Sequence, residues 1–257
     1  MNHLLVSAAS KSDVKELNFS EFRSCLLPYH VLKNGDTHIF IYALGGDTRR
    51  AERVNLMRQL KIFPSVSPDE IPRMPAGTML SIGFILDADN HGIASRLDIA
   101  RQEVAEAFEI DASSKFQANG SVEFILGIKI GCFVFSEPGS DCGKLENLLL
   151  PMMKISNEAI FSRADEFLTE HHEYSRCRKL KLVSRDGQLI EERRGGVDYD
   201  HSKSIIGIAG QLQRSGKSNA AYISDCDYLN LWKLQTHESC KEILSFVSHI
   251  LTQSEGL

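Results

Sequence analysis

Short apolar runs alternate with longer stretches of helical spacing through the first 150 residues, and no other feature narrows the fold as much. His3 to Val6 precedes an amphipathic stretch from Ser12 to Leu26. Then comes Thr37 to Leu44, THIFIYAL, rich in the β-branched and aromatic residues that favour strands. Gly45-Gly46-Asp47 ends that run. A helix is expected from Asp47 to Leu60, with Asp47 or Thr48 capping its first amides and Val54, Leu56, Met57 and Leu60 forming an apolar stripe. The Pro-rich interval Phe63 to Pro75 reads as loop. Met79 to Leu86, MLSIGFIL, is nearly all apolar, as expected of a strand buried on both faces. Ala94 to Phe108 returns to helical spacing, and Ile125 to Phe135 is one further apolar run, closed by Ser136-Glu137-Pro138-Gly139. This order predicts an α/β fold built on a mainly parallel sheet flanked by helices, with right-handed crossovers.

From Leu145 onward the spacing is mostly helical, clearest at Ile155 to His171 and Glu238 to Leu251. Arg178 to Tyr199 is polar, carries turn signals at Gly187 and Gly195-Gly196, and reads as a protruding hairpin or loop. The expected organisation is an α/β core over 1–150 and a mostly helical extension over 151–257 packed on it. No repeat or low-complexity tract argues for a solenoid.

Composition removes several function classes. With 29 Lys plus Arg against 34 Asp plus Glu, the net charge of -5 excludes a chain that holds polyanions by overall charge. Nucleic acid, as a partner, needs a local cationic surface such as Arg176, Arg178, Lys179, Lys181 and Arg185, or Arg193 and Arg194. No apolar run reaches the roughly 18 residues of a membrane helix. Leu4 to Ala9 is too short and lacks the cationic flank of a signal peptide, so no membrane partner and a cytoplasmic location are expected. Six cysteines without a CxxC pair suit reduced thiols in the cytosol.

The chemistry-bearing feature is Asp87-Ala88-Asp89, directly after the most apolar run. In open parallel sheets the loops at the carboxyl ends of strands form the binding crevice. Residues two apart on a strand share a face, so both carboxylates are expected to converge on one point. Two anions that close repel unless a cation or proton joins them, and carboxylate oxygens suit Mg²⁺ or Mn²⁺. The alternative is that the pair caps the following helix or opens a turn at Asn90-His91-Gly92. Glu146 stands in the first turn of a later helix, either as a third carboxylate at the same sheet edge or as an acidic residue favoured by the helix dipole.

The order of elements around this pair resembles the Toprim domain of topoisomerases, primases and overcoming-lysogenization-defect nucleases. More specifically it resembles a group of uncharacterised bacterial Toprim-like proteins. The motifs that carry the likeness are Gly45-Gly46, Asp87-Ala88-Asp89 with Arg96, and Gly143-Lys144-Leu145-Glu146-Asn147-Leu148-Leu149. They cover 1–150 well and the helical remainder more loosely, with Lys203 as the family's downstream lysine. The resemblance implies metal-dependent phosphodiester chemistry on nucleic acid, with Mg²⁺ or Mn²⁺ held by Asp87, Asp89 and Glu146. Lys203, with Lys144 or Arg96, would neutralise charge on the phosphate. Where the family has a first-strand Glu this chain has Ser7, whose neutral hydroxyl neither transfers protons like a carboxylate nor ligates a hard dication well. Two readings follow: a nuclease with an incomplete acidic site, and a non-catalytic nucleic-acid or protein-binding scaffold. A third, phosphatase chemistry with Asp87 as nucleophile, draws on the same acidic pair.

Other signals are weaker. Asp225 and Asp227 form a second acidic pair but follow only Ala220 to Ser224, a weak strand. Gly216-Lys217-Ser218 resembles the end of a phosphate-binding loop, yet the nearest preceding glycine, Gly210, leaves five intervening residues instead of four. His171-His172 with Cys177 lacks a second ligand pair at zinc spacing. Tyr228 and Trp232, four apart, would share one packed helical face, and Cys132 reads as a small buried strand residue.

Overall fold

A computed structural model describes residues 28–45, 49–63, 78–171, 180–185, 187–193 and 199–252 of the chain. Expectations placed on Ser7, the first apolar run, Gly46, Asp47, Thr48, His172, Arg176, Cys177, Arg178, Lys179 and Arg194 lie outside those residues. The fold is α/β, with helices after its strands and a helical C-terminal region. Among the described residues no helix is long and apolar enough to cross a membrane.

The chain forms two compact units. The first comprises the described residues within Met1–Leu86, Ala94–Val134 and Phe246–Leu257; the second comprises Asp87–Ile93 and Phe135–Ser245. A single cut near residue 150 does not describe this arrangement, because the chain enters the second unit briefly at Asp87 and returns to the first at Phe246.

In the first unit, β1 (His30–Asn34) and β2 (Thr37–Ile41) make an antiparallel hairpin. The expected strand at Thr37 thus belongs to a small sheet of its own. Helix α1 (Arg50–Lys61) buries Val54 and Met57, the two innermost positions of the predicted stripe. Strand β3 (Ser81–Asp87) leads into α2 (Ile93–Phe108), whose Leu97, Ala100, Val104, Ala107 and Phe108 repeat at helical spacing and are all buried.

The predicted run Ile125 to Phe135 is in fact a hairpin, β4 (Val122–Ile125) and β5 (Ile128–Phe135). Leu126 and Gly127, at φ of 48 and 79, make the two-residue turn whose twist suits antiparallel strands. The sheet order is β3-β5-β4. Backbone bonds from Lys129 N to Leu80 O and from Ala88 N to Phe135 O bracket β3 and β5 in parallel, so the sheet mixes one parallel and one antiparallel pair. Here the expectation for β3 needs correction. The strand buried on both faces is β5; among the described strands β3 is at an edge, with Phe84 buried and Ile85 52% exposed. An apolar run alone does not separate the two positions.

Gly131 on β5 lets the C-terminal helix approach: an added Cβ would lie 2.6 Å from Ile250 and 2.7 Å from Phe246. Buried Lys129 donates to the carbonyls of His249 and Thr252, satisfying groups that the end of that helix leaves unpaired.

The second unit is helical around α3 (Leu145–Lys154), α4 (Glu158–Glu170), α5 (His201–Gln211), α6 (Asn219–Asp225), α7 (Leu231–Thr236) and the first part of α8 (Glu238–Leu251). Its core gathers Leu148, Met152, Phe161, Ile206, Ala209 and Tyr222. Ser156, at φ of 62, breaks the helix expected from Ile155, so α4 starts at Glu158. Ala220 to Ser224 is helix α6, capped by Ser218, not a strand; that removes the strand-end setting from Asp225 and Asp227. Tyr228 is buried outside α7, whereas Trp232 is exposed on it, so the two share no face. The polar stretch forms the expected hairpin, β6 (Leu180–Arg185) and β7 (Gln188–Arg193).

Candidate functional site

The acidic pair sits where β3 gives way to its loop, in the segment Asp87–Ile93 of the second unit. Ala88 is fully buried, with its N–H bonded to Phe135 O at 2.9 Å and its carbonyl accepting from His91 and Gly92. Asp89 adopts φ of 50, a left-handed conformation that Asp tolerates, and exchanges two backbone bonds with Gly143, at 2.7 and 2.9 Å. Gly143 itself cannot carry a side chain: at φ of 135 a Cβ would lie 2.3 Å from Glu137 N. The loop closing β5 is thereby clamped against the Asp-Ala-Asp segment, and Ile93 N bonded to Asp141 O extends the clamp.

Asp87 Oδ1 accepts the N–H of Leu145 at 2.8 Å, the first residue of α3. The capping alternative holds in altered form: Asp87 stabilises a helix start, but of α3, 58 residues on, and not of α2. Burial pushes the Asp87 carboxyl above its ordinary range. The Leu145 N–H opposes that, the charge of Asp89 adds to it, and Lys203 and Lys144 oppose it more weakly. A carboxylate so placed gains from a proton or a cation.

Two lysines face this charge. Lys144 stands at the N-cap of α3, its backbone N–H held by Asn147 Oδ1, and its ammonium donates to Asp200 Oδ2 at 2.8 Å. That bond raises the Lys144 pKa, against the effect of its burial; the charges of Asp200, Asp89 and Glu146 add to it. Asp200 in turn caps α5 by accepting Lys203 N–H. Burial pushes its carboxyl up, but the Lys144 hydrogen bond, the Lys203 amide and the two lysine charges outweigh this and hold it below the usual value. Lys203 Nζ lies 3.7 Å from Glu146 Oε1 and 3.9 Å from Asp200 Oδ2.

The structure therefore brings Asp87, Asp89, Lys144 and Lys203 into one charged neighbourhood, with Glu146 bound into it through Lys203. Among the described residues no three His, Cys, Asp or Glu form a ready metal cage, so the trio of Asp87, Asp89 and Glu146 is not preassembled; the aspartate pair is what remains. Arg96 lies on the part of α2 that belongs to the first unit. Asp200 was not legible as a site residue, although an Asp directly before the apolar spacing of Ile205, Ile206 and Ala209 is a helix-start signal. In the hairpin, the backbone register pairs Lys181 with Glu192, Leu182 with Glu191 and Leu180 with Arg193.

Compared with protein-family models, with curated proteins and with solved structures, the chain has no match in any of the three.

Proposed function

We propose that Asp87 and Asp89 hold a divalent cation, Mg²⁺ or Mn²⁺, and that the protein performs phosphodiester chemistry of the Toprim type on nucleic acid. The observation that carries this reading is the proximity of Asp89 to a part-buried Asp87 whose carboxyl resists ionisation. The donor set fits the ion: Mg²⁺ keeps most of its waters and is commonly held by one or two carboxylates, so a third protein ligand is not required. When bound, such an ion polarises a phosphoryl oxygen and stabilises a leaving alkoxide. The chain's own residues do the positioning. Gly143 and Ala88 fix the loop backbone, and Leu145 N–H fixes one oxygen of Asp87 and leaves the other for a ligand. Lys203, nearly half exposed, is the cation best able to turn from Glu146 toward a phosphate oxygen. Lys144 is tied to Asp200 and serves as a fixed positive charge.

A second reading has its own support. Each of the two lysines already lies close to a carboxylate, which suits a self-contained scaffold that binds a partner without chemistry. Mn²⁺ titration followed by electron paramagnetic resonance separates the two. Binding that falls about tenfold or more in Asp87→Asn and Asp89→Asn supports the metal site. Equal affinity in the double variant overturns it. Metal-dependent cleavage of labelled single-stranded or duplex DNA or RNA, abolished by chelator and by the same variants, would establish the activity.

A further inference from the structure

The second unit holds another cluster of reactive groups that the acidic site does not use. Tyr199 Oη lies 2.7 Å from His201 Nδ1, and His201 Nε2 lies 2.7 Å from Asp165 Oδ1. One imidazole thus bridges a phenol and a carboxylate through opposite ring nitrogens. The local backbone explains how. Asp200 is extended, at φ of -115 and ψ of 109, so its neighbours Tyr199 and His201 fall on one side and its own side chain on the other. Asp200 turns to Lys144; Tyr199 and His201 turn to Asp165 on α4. His201 opens α5, which packs on α4 and keeps the carboxylate in reach.

A nucleophile within hydrogen-bond reach of a base, with the base oriented by a third group, is the arrangement that activates a weak hydroxyl. In the neutral imidazole, a proton on Nε2 held by Asp165 leaves the Nδ1 lone pair directed at the Tyr199 hydroxyl. His201 and Asp165 are 40% and 44% exposed at their side chains, so the array is open to a small molecule in solution. Of its three residues Asp165 carries the fixed charge, an anion, which disfavours a phosphate beside it and favours a neutral acyl carbon.

We propose that Tyr199, His201 and Asp165 form a second reactive centre in which Tyr199 is a nucleophile toward activated acyl esters. Tyr199 Oη attacks the carbonyl carbon as its proton passes to His201 Nδ1. The carbonyl re-forms, the bond to the leaving alcohol breaks, and the leaving oxygen takes the proton from His201, whose Nδ1 is then free again. Water then attacks the acyl-tyrosine, gives a proton to His201 Nδ1, and the Tyr199 oxygen departs and regains its proton. The sum is ester plus water to acid plus alcohol, with no other reactant. The centre uses none of the residues of the acidic pair, so either proposal can fail alone.

The test is acetylation by p-nitrophenyl acetate at neutral pH, read by peptide mass spectrometry in the full chain. Tyr29, 71% exposed, is the internal control. Acetyl-Tyr199 is expected to accumulate about tenfold or more faster than acetyl-Tyr29, and to fall to the level of Tyr29 in His201→Gln. That variant retains an amide able to bond both neighbours but has no basic nitrogen, so it distinguishes a base from a clamp. Asp165→Asn is expected to give an intermediate loss, and Tyr199→Phe removes the label from that peptide. Tyr199 labelled no faster than Tyr29, or labelled equally in wild type and His201→Gln, overturns the proposal.

Discussion

Glu103 in the first unit and Asp87 in the second are both carboxylates drawn away from water, and the protein treats them in opposite ways. Glu103, on α2, is 1% exposed and receives two bonds from Arg53 of α1, at 2.6 and 2.9 Å. The same guanidinium reaches Leu44 O at 2.7 Å, so the pair is closed on both sides. Asp87 receives one amide bond, has a second aspartate beside it, and meets its lysines only at longer range. A buried charge serving the fold is neutralised by a geometrically matched partner. The Asp87 carboxyl is left partly unanswered, which is what the proposed cation would relieve.

The largest effect that tests this contrast lies in the closed pair. Arg53→Met leaves Glu103 buried without its partner and is expected to cost about 3–5 kcal/mol in urea denaturation followed by circular dichroism. Arg53→Met with Glu103→Leu should recover most of that loss, since the uncompensated charge is gone and the volume is refilled. A single-variant cost below about 1 kcal/mol would show that water or another group relieves Glu103, and the contrast with Asp87 would dissolve.

The same comparison shows what a sequence can disclose. The faces of α1 and α2 were legible because Val54, Met57, Leu97, Ala100 and Val104 obey a local period, and α8 matched its expected span for the same reason. Buried Glu103 was not, because it reads as the polar side of its helix until Arg53, 50 residues earlier, is brought to it. Asp87 and Asp89 stood out by lying at the end of an apolar run, a local rule. Asp200 and Asp165 did not: each acquires its role from a partner 56 or 36 residues away in the chain. The turn inside Ile125 to Phe135 was hidden by Leu126, an apolar residue in a left-handed conformation that neither hydropathy nor turn composition signals. Local periodicity is readable; charge pairing across elements is a property of tertiary structure.

A smaller effect is expected where the second unit does pair its charges. Lys144→Met leaves Asp200 without its ammonium but with the Lys203 amide, for a loss of about 1 kcal/mol at neutral pH. The folded pKa of Asp200 is depressed, so the stabilisation is complete above the ordinary carboxylate value of about 3.9 and is lost as pH falls through the lowered folded value. Melting temperatures of wild type and Lys144→Met should therefore differ at neutral pH and converge in strong acid. A constant gap across that range would assign the effect to lost packing of the lysine stem instead of its charge.

The smallest effect has the opposite sign. Asn in Asp87→Asn keeps an oxygen for the Leu145 N–H while removing the charge that burial and Asp89 oppose. Because the folded pKa of Asp87 is raised, the folded state holds the proton more tightly than the unfolded chain. Stability contributed by this group is present below the ordinary carboxylate value and is lost as pH rises through the raised one. At neutral pH the wild type bears the full cost, and the variant should melt higher. The gain should vanish in acid, where Asp87 is neutral. Mg²⁺ provides the decisive contrast, since a cation bound by the ionised pair should raise the wild-type melting temperature and leave the variant unmoved. An Asp87→Asn chain that is less stable at neutral pH would place Asp87 with Glu103, as a carboxylate the fold requires in its charged form. A more stable chain that has lost its response to Mg²⁺ is the outcome expected of a residue held for a ligand at the expense of the fold.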